Sequence, residues 1–501
     1  MNSVASSISW AHVAGAVVIY YASLAFYRLF LDPLARFPGP KLAAVSRWYE
    51  AYYDVVLNGQ YTHRILEMHK EYGSPYELHV NDPSFFPHLY RQDGRWNKYA
   101  WAYDAQGLQG AIVVTADHDA HRARRQPLNP LYSKQKVASK LHIMYRNIDK
   151  LCARLDQLVS SDKTGDKKVV DVGASISAFA RDVSTEFTLG KTYNALDKED
   201  FGLGVTSVAQ SSGAIWRVTK HVRWFGPLLV NMPLWLAMRI SDEETKAFLN
   251  FIKENEDDTK RLMTAATTPD DKTPHTIVHE IMASSLPPSD KTPKRIFGDV
   301  ATVTGAGFET TASVLRLILF HLYTNPDILH KLRAELGTIP ASNPELKQLE
   351  HLPYLTAILT EGMRLSPAIG TRMARIAPDR SLVYGNWTIP AGTPVGMTTI
   401  LMHTDEKLYP EPMRFIPERW VDPEERKKNE KTFAPFSRGT RNCLGMYVAW
   451  AELYLLVSAL VYRYDFDFKD YATAKDFEMV SDQFIIGTLA KNVLNGIVYR
   501  R

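Results

Sequence analysis

Apolar residues recur at three- and four-residue intervals along most of the chain. Between positions 134 and 160 they fall at Val137, Leu141, Met144, Ile148, Leu151, Leu155 and Leu158, the spacing that lines one face of a helix. The same periodicity predicts helices over 171–189, 241–263, 294–323, 326–336 and 446–461. Strand-like pieces are short, at 76–80, 381–384, 387–389 and 484–488. There is no internal repeat and no long low-complexity linker. The pattern predicts one large, mainly α domain with small β-sheets at its edge.

The N-terminus differs. Met1 to Tyr27 contains no Asp, Glu, Lys or Arg, and Ile8 to Leu31 is apolar except for Ser9, His12, Ser23 and Arg28. About 20 such residues suffice to cross a bilayer as a helix. A cleaved signal peptide needs a basic start and a small-residue cleavage site, and neither is present. The positive charges follow the run, at Arg28, Arg36, Lys41 and Arg47, which puts the body of the chain in the cytosol. Tyr20, Tyr21, Phe26 and Tyr27 suit an interfacial aromatic belt. Phe37-Pro38-Gly39-Pro40 cannot continue a helix and reads as a stiff hinge. The chain therefore divides into an anchor, 1–31, and a body, 32–501. A second apolar stretch, 225–238, is either a buried connection or a patch that dips into the membrane.

Composition narrows the classes. The 501 residues are 45% hydrophobic and 23% charged, which excludes disorder. A net charge of +4 is too even for a nucleic-acid footprint, so no nucleic-acid partner is expected. Two cysteines, Cys152 and Cys443, exclude a secreted disulfide framework and any four-thiolate metal site built from this chain alone.

Cys443 sits in Phe436-Ser437-Arg438-Gly439-Thr440-Arg441-Asn442-Cys443-Leu444-Gly445. The physical reading is a thiolate ligand for haem iron, which must be ionised and shielded; a bound metal secures the ionised form. Phe436 would cover the sulfur and Gly439 would make the turn. Arg441 would pair with a haem propionate, and Gly445 would clear space for the porphyrin. Cys152 reads as an inert core cysteine. The loop resembles the haem-binding signature of the cytochrome P450 family, and the likeness runs from the anchor to the C-terminus.

Further segments resemble the family in order. Glu361-Gly362-Met363-Arg364 is similar to its Glu-x-x-Arg helix, with both side chains on one face. Pro417-Glu418-Arg419-Trp420 resembles the segment that supplies a third member, so Glu361, Arg364 and Arg419 would form a buried network behind the cysteine loop. Alone, Glu361 and Arg364 would read as an exposed helical pair. Ala306-Gly307-Phe308-Glu309-Thr310-Thr311 resembles the acid–alcohol motif of the oxygen-side helix. Ala306 and Gly307 would leave room for dioxygen, and Glu309 and Thr310 would deliver protons. A threonine bonding back to its own turn is the bland alternative. His121 and Arg125, four residues apart, and Arg375 resemble the propionate contacts, with His121 in place of the usual Trp. Zinc ligation by His118 and His121, or by His275 and His279, would lack the needed convergent donors.

The resemblance implies a cytochrome P450 fold preceded by one transmembrane helix, and a thiolate-ligated haem of the b type (heme b, iron protoporphyrin IX). It implies a substrate pocket at Trp101 through Val114, Val303, Ala306, Ile369, Phe484 and Ile485, mostly apolar and suited to a lipophilic small molecule. Electrons would come from NADPH–cytochrome P450 reductase, with cytochrome b5 as a second donor. Arg122, Arg124, Lys134, Lys136 and Arg438 would either steer the reductase or form a solvated face. The segments around 26–44, 74–83 and 285–292 are similar to fungal secondary-metabolism members of the trichodiene-oxygenase-like group. That implies a single-pass protein of the endoplasmic-reticulum membrane that hydroxylates or epoxidises a natural product such as a terpenoid or polyketide. The rivals are a haem-thiolate isomerase or dehydratase that uses no O2, and a non-catalytic haem protein. Tyr72-Gly73 runs straight into Ser74-Pro75 where relatives carry a short strand. Asn386-Trp387-Thr388 is a glycosylation triplet that a cytosolic domain would leave unmodified.

Overall fold

A computed structural model describes residues 10–70, 77–108, 110–160, 168–267, 274–340, 344–491 and 493–501. The junction at Gly73 and Ser74 lies outside the described residues. The longest helix, Pro293–Thr324, runs through the centre. Thr292 stands at its N-cap with Pro293 in the first turn, where the missing N–H costs nothing. Asn325 and Pro326 end it and begin the next helix, Pro326–Leu336. The helix Val172–Leu189 lies along it and is buried at nearly every residue. Asp171 caps that helix by accepting from the Ala174 N–H, and Gly190 closes it at φ 69°. Leu141–Ser160, Pro353–Leu365 and Met446–Arg463 pack around the same centre and share one apolar core with both.

The predicted helices are present, with informative shifts. The periodic run from 134 to 160 is two helices, Lys134–Ser139 and Leu141–Ser160. Lys140, with non-helical backbone at φ −111°, ψ 11°, stands at the break, and its ammonium donates to the Phe187 carbonyl at 3.3 Å and sits over the Phe187 ring. Among the described residues the short strands build four small sheets. The largest is ordered Leu78–His79, Pro394–Gly396, Arg375–Ile376, Asn97–Lys98. Its register sets Lys98 directly opposite Arg375. Phe484, expected at a strand start, is instead the turn residue between Met479–Gln483 and Ile485–Thr488, at φ 70°.

At the N-terminus, Trp10–Phe26 continues as a wider turn to Leu31. These 22 residues bury nothing in the body and at 1.5 Å per residue would reach about 33 Å, enough for a bilayer core. The apolar stretch near 225–238 forms two short helices, Phe225–Val230 and Leu234–Ile240, which bury no residue. The reading of this stretch as a buried connection is therefore corrected: Trp224, Leu228, Val230, Leu234, Trp235 and Ile240 all face outward. Two Pro-bounded turns cannot sink a continuous apolar face into the core.

Candidate active site

The cysteine loop is closed by its own backbone. The Cys443 N–H donates to the Phe436 carbonyl at 2.9 Å. Gly439 takes φ 76°, and a Cβ there would lie 2.5 Å from the Arg91 carbonyl oxygen, so only glycine makes this turn. Cys443 is exposed although its loop joins core elements. Desolvation by the protein packed around the loop pushes its thiol above the usual range although the residue keeps an accessible edge, opposed by a Gly445 backbone N–H and by Arg125. The protein alone thus does not ionise the sulfur; a bound metal would. A Cβ on Gly445 would meet no atom within 4 Å, which leaves open space beside the sulfur. Phe436 turns its ring toward Trp450, 6.3 Å between centroids.

Around this loop lies a set of basic side chains, all buried except the half-buried Arg125. Arg441 donates to the carbonyls of Thr115 at 2.7 Å, Ala116 at 2.7 Å and Asp117 at 3.0 Å, while its Nε has no partner. Arg125 donates to the Asn442 carbonyl at 2.5 Å and to its side-chain oxygen at 3.0 Å. Arg375 is buried beneath Tyr90 and, among the described residues, bonds only the Met373 and Ala374 carbonyls. His121 is buried beside them. Lys98, absent from the sequence reading, is the fifth: its ammonium donates to the Val113 carbonyl at 2.6 Å. None of the five is in an ion pair among the described residues. Burial, then the repulsion of Arg375, lowers Arg441 to about 9. Burial, then Arg441 and Lys98, lowers His121 to about 2. Lys98 is lowered well below its ordinary value by burial and by Arg375, Arg441 and Arg125. Like charges directly opposite in a sheet are unfavourable, and buried unpaired charge is more so. A dianionic group would reverse both penalties. The donor set therefore fits the two carboxylates of a haem, as the accessible sulfur fits its iron.

The Glu-x-x-Arg pair is wholly buried. Arg364 Nε and Nη2 donate to the two Glu361 oxygens, each at 2.8 Å. Arg419 Nε lies 3.4 Å from Glu361. Two groups missed in the sequence complete it. The Trp420 indole N–H donates to Glu361 at 2.9 Å. His403 sits between Arg364 and the cysteine-loop approach: Nδ1 is 3.0 Å from the Arg364 carbonyl, and Nε2 accepts the Ala434 N–H at 3.0 Å. A backbone N–H can only donate, so Nε2 is unprotonated and Nδ1 carries the proton. Burial and Arg364 hold His403 at about 3, which keeps that tautomer neutral.

On the central helix, Gly305 and Ala306 are exposed while Phe308 and Glu309 are buried. One face of a core helix thus opens onto interior space. The Thr310 hydroxyl donates to the Ala306 carbonyl at 2.6 Å. Glu309 accepts from Arg316 at 2.7 Å and from the Gln210 amide at 3.3 Å. Gly307 does not leave room for dioxygen as expected. Its missing Cβ would stand 2.4 Å from Ser184 Oγ, so it permits close approach of the neighbouring helix.

Among the expected pocket residues, Val114 and Phe484 share one small apolar cluster with Tyr103 and Ala111. Ile369 bridges Ile485 in antiparallel fashion. Val303 is half-buried on the central helix. Trp101 packs elsewhere, with its ring 4.1 Å from the Arg47 guanidinium and 5.4 Å from the His221 ring. There, Glu50, Asp54 and His221 converge in a way that could hold a metal, but the Lys220 ammonium lies between the carboxylates, 2.9 Å from Glu50 and closing on Asp54 at 2.5 Å. A cation already fills that place. Of the basic residues expected on the cysteine side, Arg124 is paired with Asp290 at 2.7 Å and Lys134 with Glu350 at 2.9 Å. Arg438 donates to the Phe433 carbonyl at 3.0 Å. His118 Nδ1 accepts the Trp96 N–H at 3.3 Å.

The chain is 36% identical to N-acetyltryptophan 6-hydroxylase ivoC of Emericella nidulans, over 97% of this chain and 96% of that one. It is 36% identical to tryptophan 6-hydroxylase fscE of Fusarium equiseti, over 94% of each. It is 33% identical to cytochrome P450 monooxygenase TRI4 of Fusarium sporotrichioides, over 94% of this chain and 91% of that one. These are fungal secondary-metabolism monooxygenases. The cytochrome P450 family model matches residues 60–491, and with the cysteine loop and its cation set in place the chain belongs to the cytochrome P450 family of thiolate-ligated haem monooxygenases.

Proposed function

We propose that this protein is a membrane-anchored monooxygenase that hydroxylates or epoxidises a lipophilic natural product with O2 and reductase-supplied electrons. The observation that carries the reading is the set of five basic side chains, four buried and Arg125 half-buried, gathered without a carboxylate partner among the described residues at the loop that presents Cys443. Cys443 would hold the iron, and Lys98, His121, Arg125, Arg375 and Arg441 the propionates. When bound, the haem supplies dioxygen activation with electron density pushed from the thiolate. The protein's own groups do the rest. Glu361, Arg364, Arg419, Trp420 and His403 fix the loop, Phe436 and Gly445 shape its surroundings, and Glu309 and Thr310 handle protons. Val114, Ile369, Phe484 and Ile485 orient substrate.

The helix over 10–31 would place the chain in the endoplasmic-reticulum membrane with residues 32–501 in the cytosol. The outward apolar helices near 225–240 would rest on that surface. NADPH–cytochrome P450 reductase, with cytochrome b5, would be the electron donor. Relatives that act on tryptophan and N-acetyltryptophan add an indole to the terpenoid and polyketide candidates.

The test is full-length protein in microsomes with reductase. Wild type shows the thiolate-type carbon monoxide difference band; Cys443→Ser does not. NADPH- and O2-dependent product from a panel of indole, terpenoid and polyketide substrates supports the proposal. Turnover without NADPH would instead mark an isomerase. Substrate-induced spin shifts with no product under any donor would mark a binding protein.

A further inference from the structure

Arginine has no ordinary place on the buried face of an apolar helix, yet Arg316 is 1% exposed on Pro293–Thr324. It stands two turns beyond Glu309, on the same face. Its Nη2 donates to Glu309 Oε2 at 2.7 Å and its Nη1 to the Ser177 hydroxyl, also at 2.7 Å. Ser177 comes from the helix Val172–Leu189. The Glu309 oxygen that faces Arg316 also accepts from Gln210, on the helix Leu203–His221. The direction of the Glu309 carboxylate is therefore fixed from three helices, and none of these bonds runs to Thr310, whose hydroxyl donates to the Ala306 carbonyl.

Resting on the proton-delivery reading of Glu309 and Thr310, we propose that Arg316 is the positioning residue of that pair. It holds the Glu309 side chain turned toward Gln210, and by holding it there it governs the path of a proton from solvent through this acid to the Thr310 side. One proton is gained and one is given; no electron moves in the step. A buried ion pair that loses its cation leaves a charge without compensation, and a carboxylate in that position takes up a proton. The other groups around Glu309 cannot replace Arg316. Arg181 is held by the Phe201 and Gly202 carbonyls and Thr206, and Asp182 by the Ala195 and Leu196 N–H groups. Gln210 is neutral, and Phe251 brings only a ring, against Phe308. From Met446–Arg463, Glu452 bonds Thr311, and from Pro353–Leu365, Glu361 and Arg364 are closed on each other.

The test compares wild type, Arg316→Met, Arg316→Lys, Glu309→Gln and the Glu309→Gln/Arg316→Met double variant, as haem-loaded full chain with reductase. Three readouts are taken: the carbon monoxide band, product formed per NADPH, and the infrared band of a protonated carboxyl. General acid–base groups contribute ~10²-fold or more, so Arg316→Met is expected to keep the band and lose roughly tenfold in product per NADPH. Arg316→Lys restores most of it. The Arg316→Met minus wild-type infrared difference shows a new protonated-carboxyl band that disappears in the double variant. Should Glu309→Gln couple like wild type, the proton-delivery reading falls and takes this inference with it. If Glu309→Gln uncouples but Arg316→Met does not, the inference alone falls. Loss of the carbon monoxide band in Arg316→Met without rescue by lysine would make Arg316 a packing residue and overturn it too.

Discussion

Glu452 offers a sharp test of how the core between the cysteine helix and the central helix is built. It is 2% exposed on Met446–Arg463, among Leu453, Leu455 and Leu456. Burial raises its carboxyl well above the ordinary range, and a hydrogen bond with the Thr311 hydroxyl is what opposes the rise. The folded protein therefore keeps a proton that the unfolded chain releases. The sign follows from linkage. Below the ordinary glutamate value both states are protonated and the group has no effect; above it, folding must take up a proton. Stability is lost at about 1.4 kcal/mol per pH unit until the folded value is reached. Glu452→Gln copies the shape and hydrogen bonding of the neutral acid without the proton. The variant and wild type should be equally stable near pH 4.5. The variant should gain about 1.4 kcal/mol over wild type for each unit above that, while the folded acid stays protonated. Urea unfolding of the haem-loaded proteins at a series of pH values, followed by loss of the carbon monoxide band, measures the gap. A gap that does not widen with pH would mean that Glu452 is ionised in the fold, and the account of this contact would be wrong.

Other outcomes follow from the same geometry. Arg364→Met leaves the fully buried Glu361 without its bidentate partner; it should destabilise the fold by about 3–5 kcal/mol and lower the haem-loaded fraction, read as the ratio of carbon monoxide band to protein. Glu361→Leu/Arg364→Met, which removes both charges, should recover part of that loss. Gly307→Ala sets a Cβ 2.4 Å from Ser184 Oγ and should cost about 1–3 kcal/mol by overpacking, with Ser184→Gly relieving it; equal stability of the single variant would show that the helices stand apart. Asn386, at the exposed turn between Leu382–Tyr384 and Trp387–Ile389, should carry no glycan in a eukaryotic host, and a shift on glycosidase treatment would place residues 32–501 on the other side of the membrane.

Periodicity in the sequence exposed what depends on local order: helix positions, the cysteine loop with its glycine turn, and Glu361 and Arg364, which lie one turn apart on one helix. What it hid depends on register and on distant packing. Lys98 is an unremarkable lysine beside Asn97 until two short strands set it opposite Arg375, and only then does the like-charge pair point to an anionic partner. His403 and Trp420 reach Glu361 and Arg364 from two short helical segments some forty to sixty positions later, a distance no window of the sequence spans. Gly307 resembled a space-maker for dioxygen because its neighbours fit a motif; the face it occupies is decided by Ser184, more than a hundred residues earlier. Arg316 alone carried a legible local signal, a charge on the apolar stripe of a buried helix, two turns from an acid. Such a residue is tolerated only if its partner is fixed in advance, so the charge that breaks a hydrophobic pattern locates the polar machinery of this fold more sharply than the motifs that announce it.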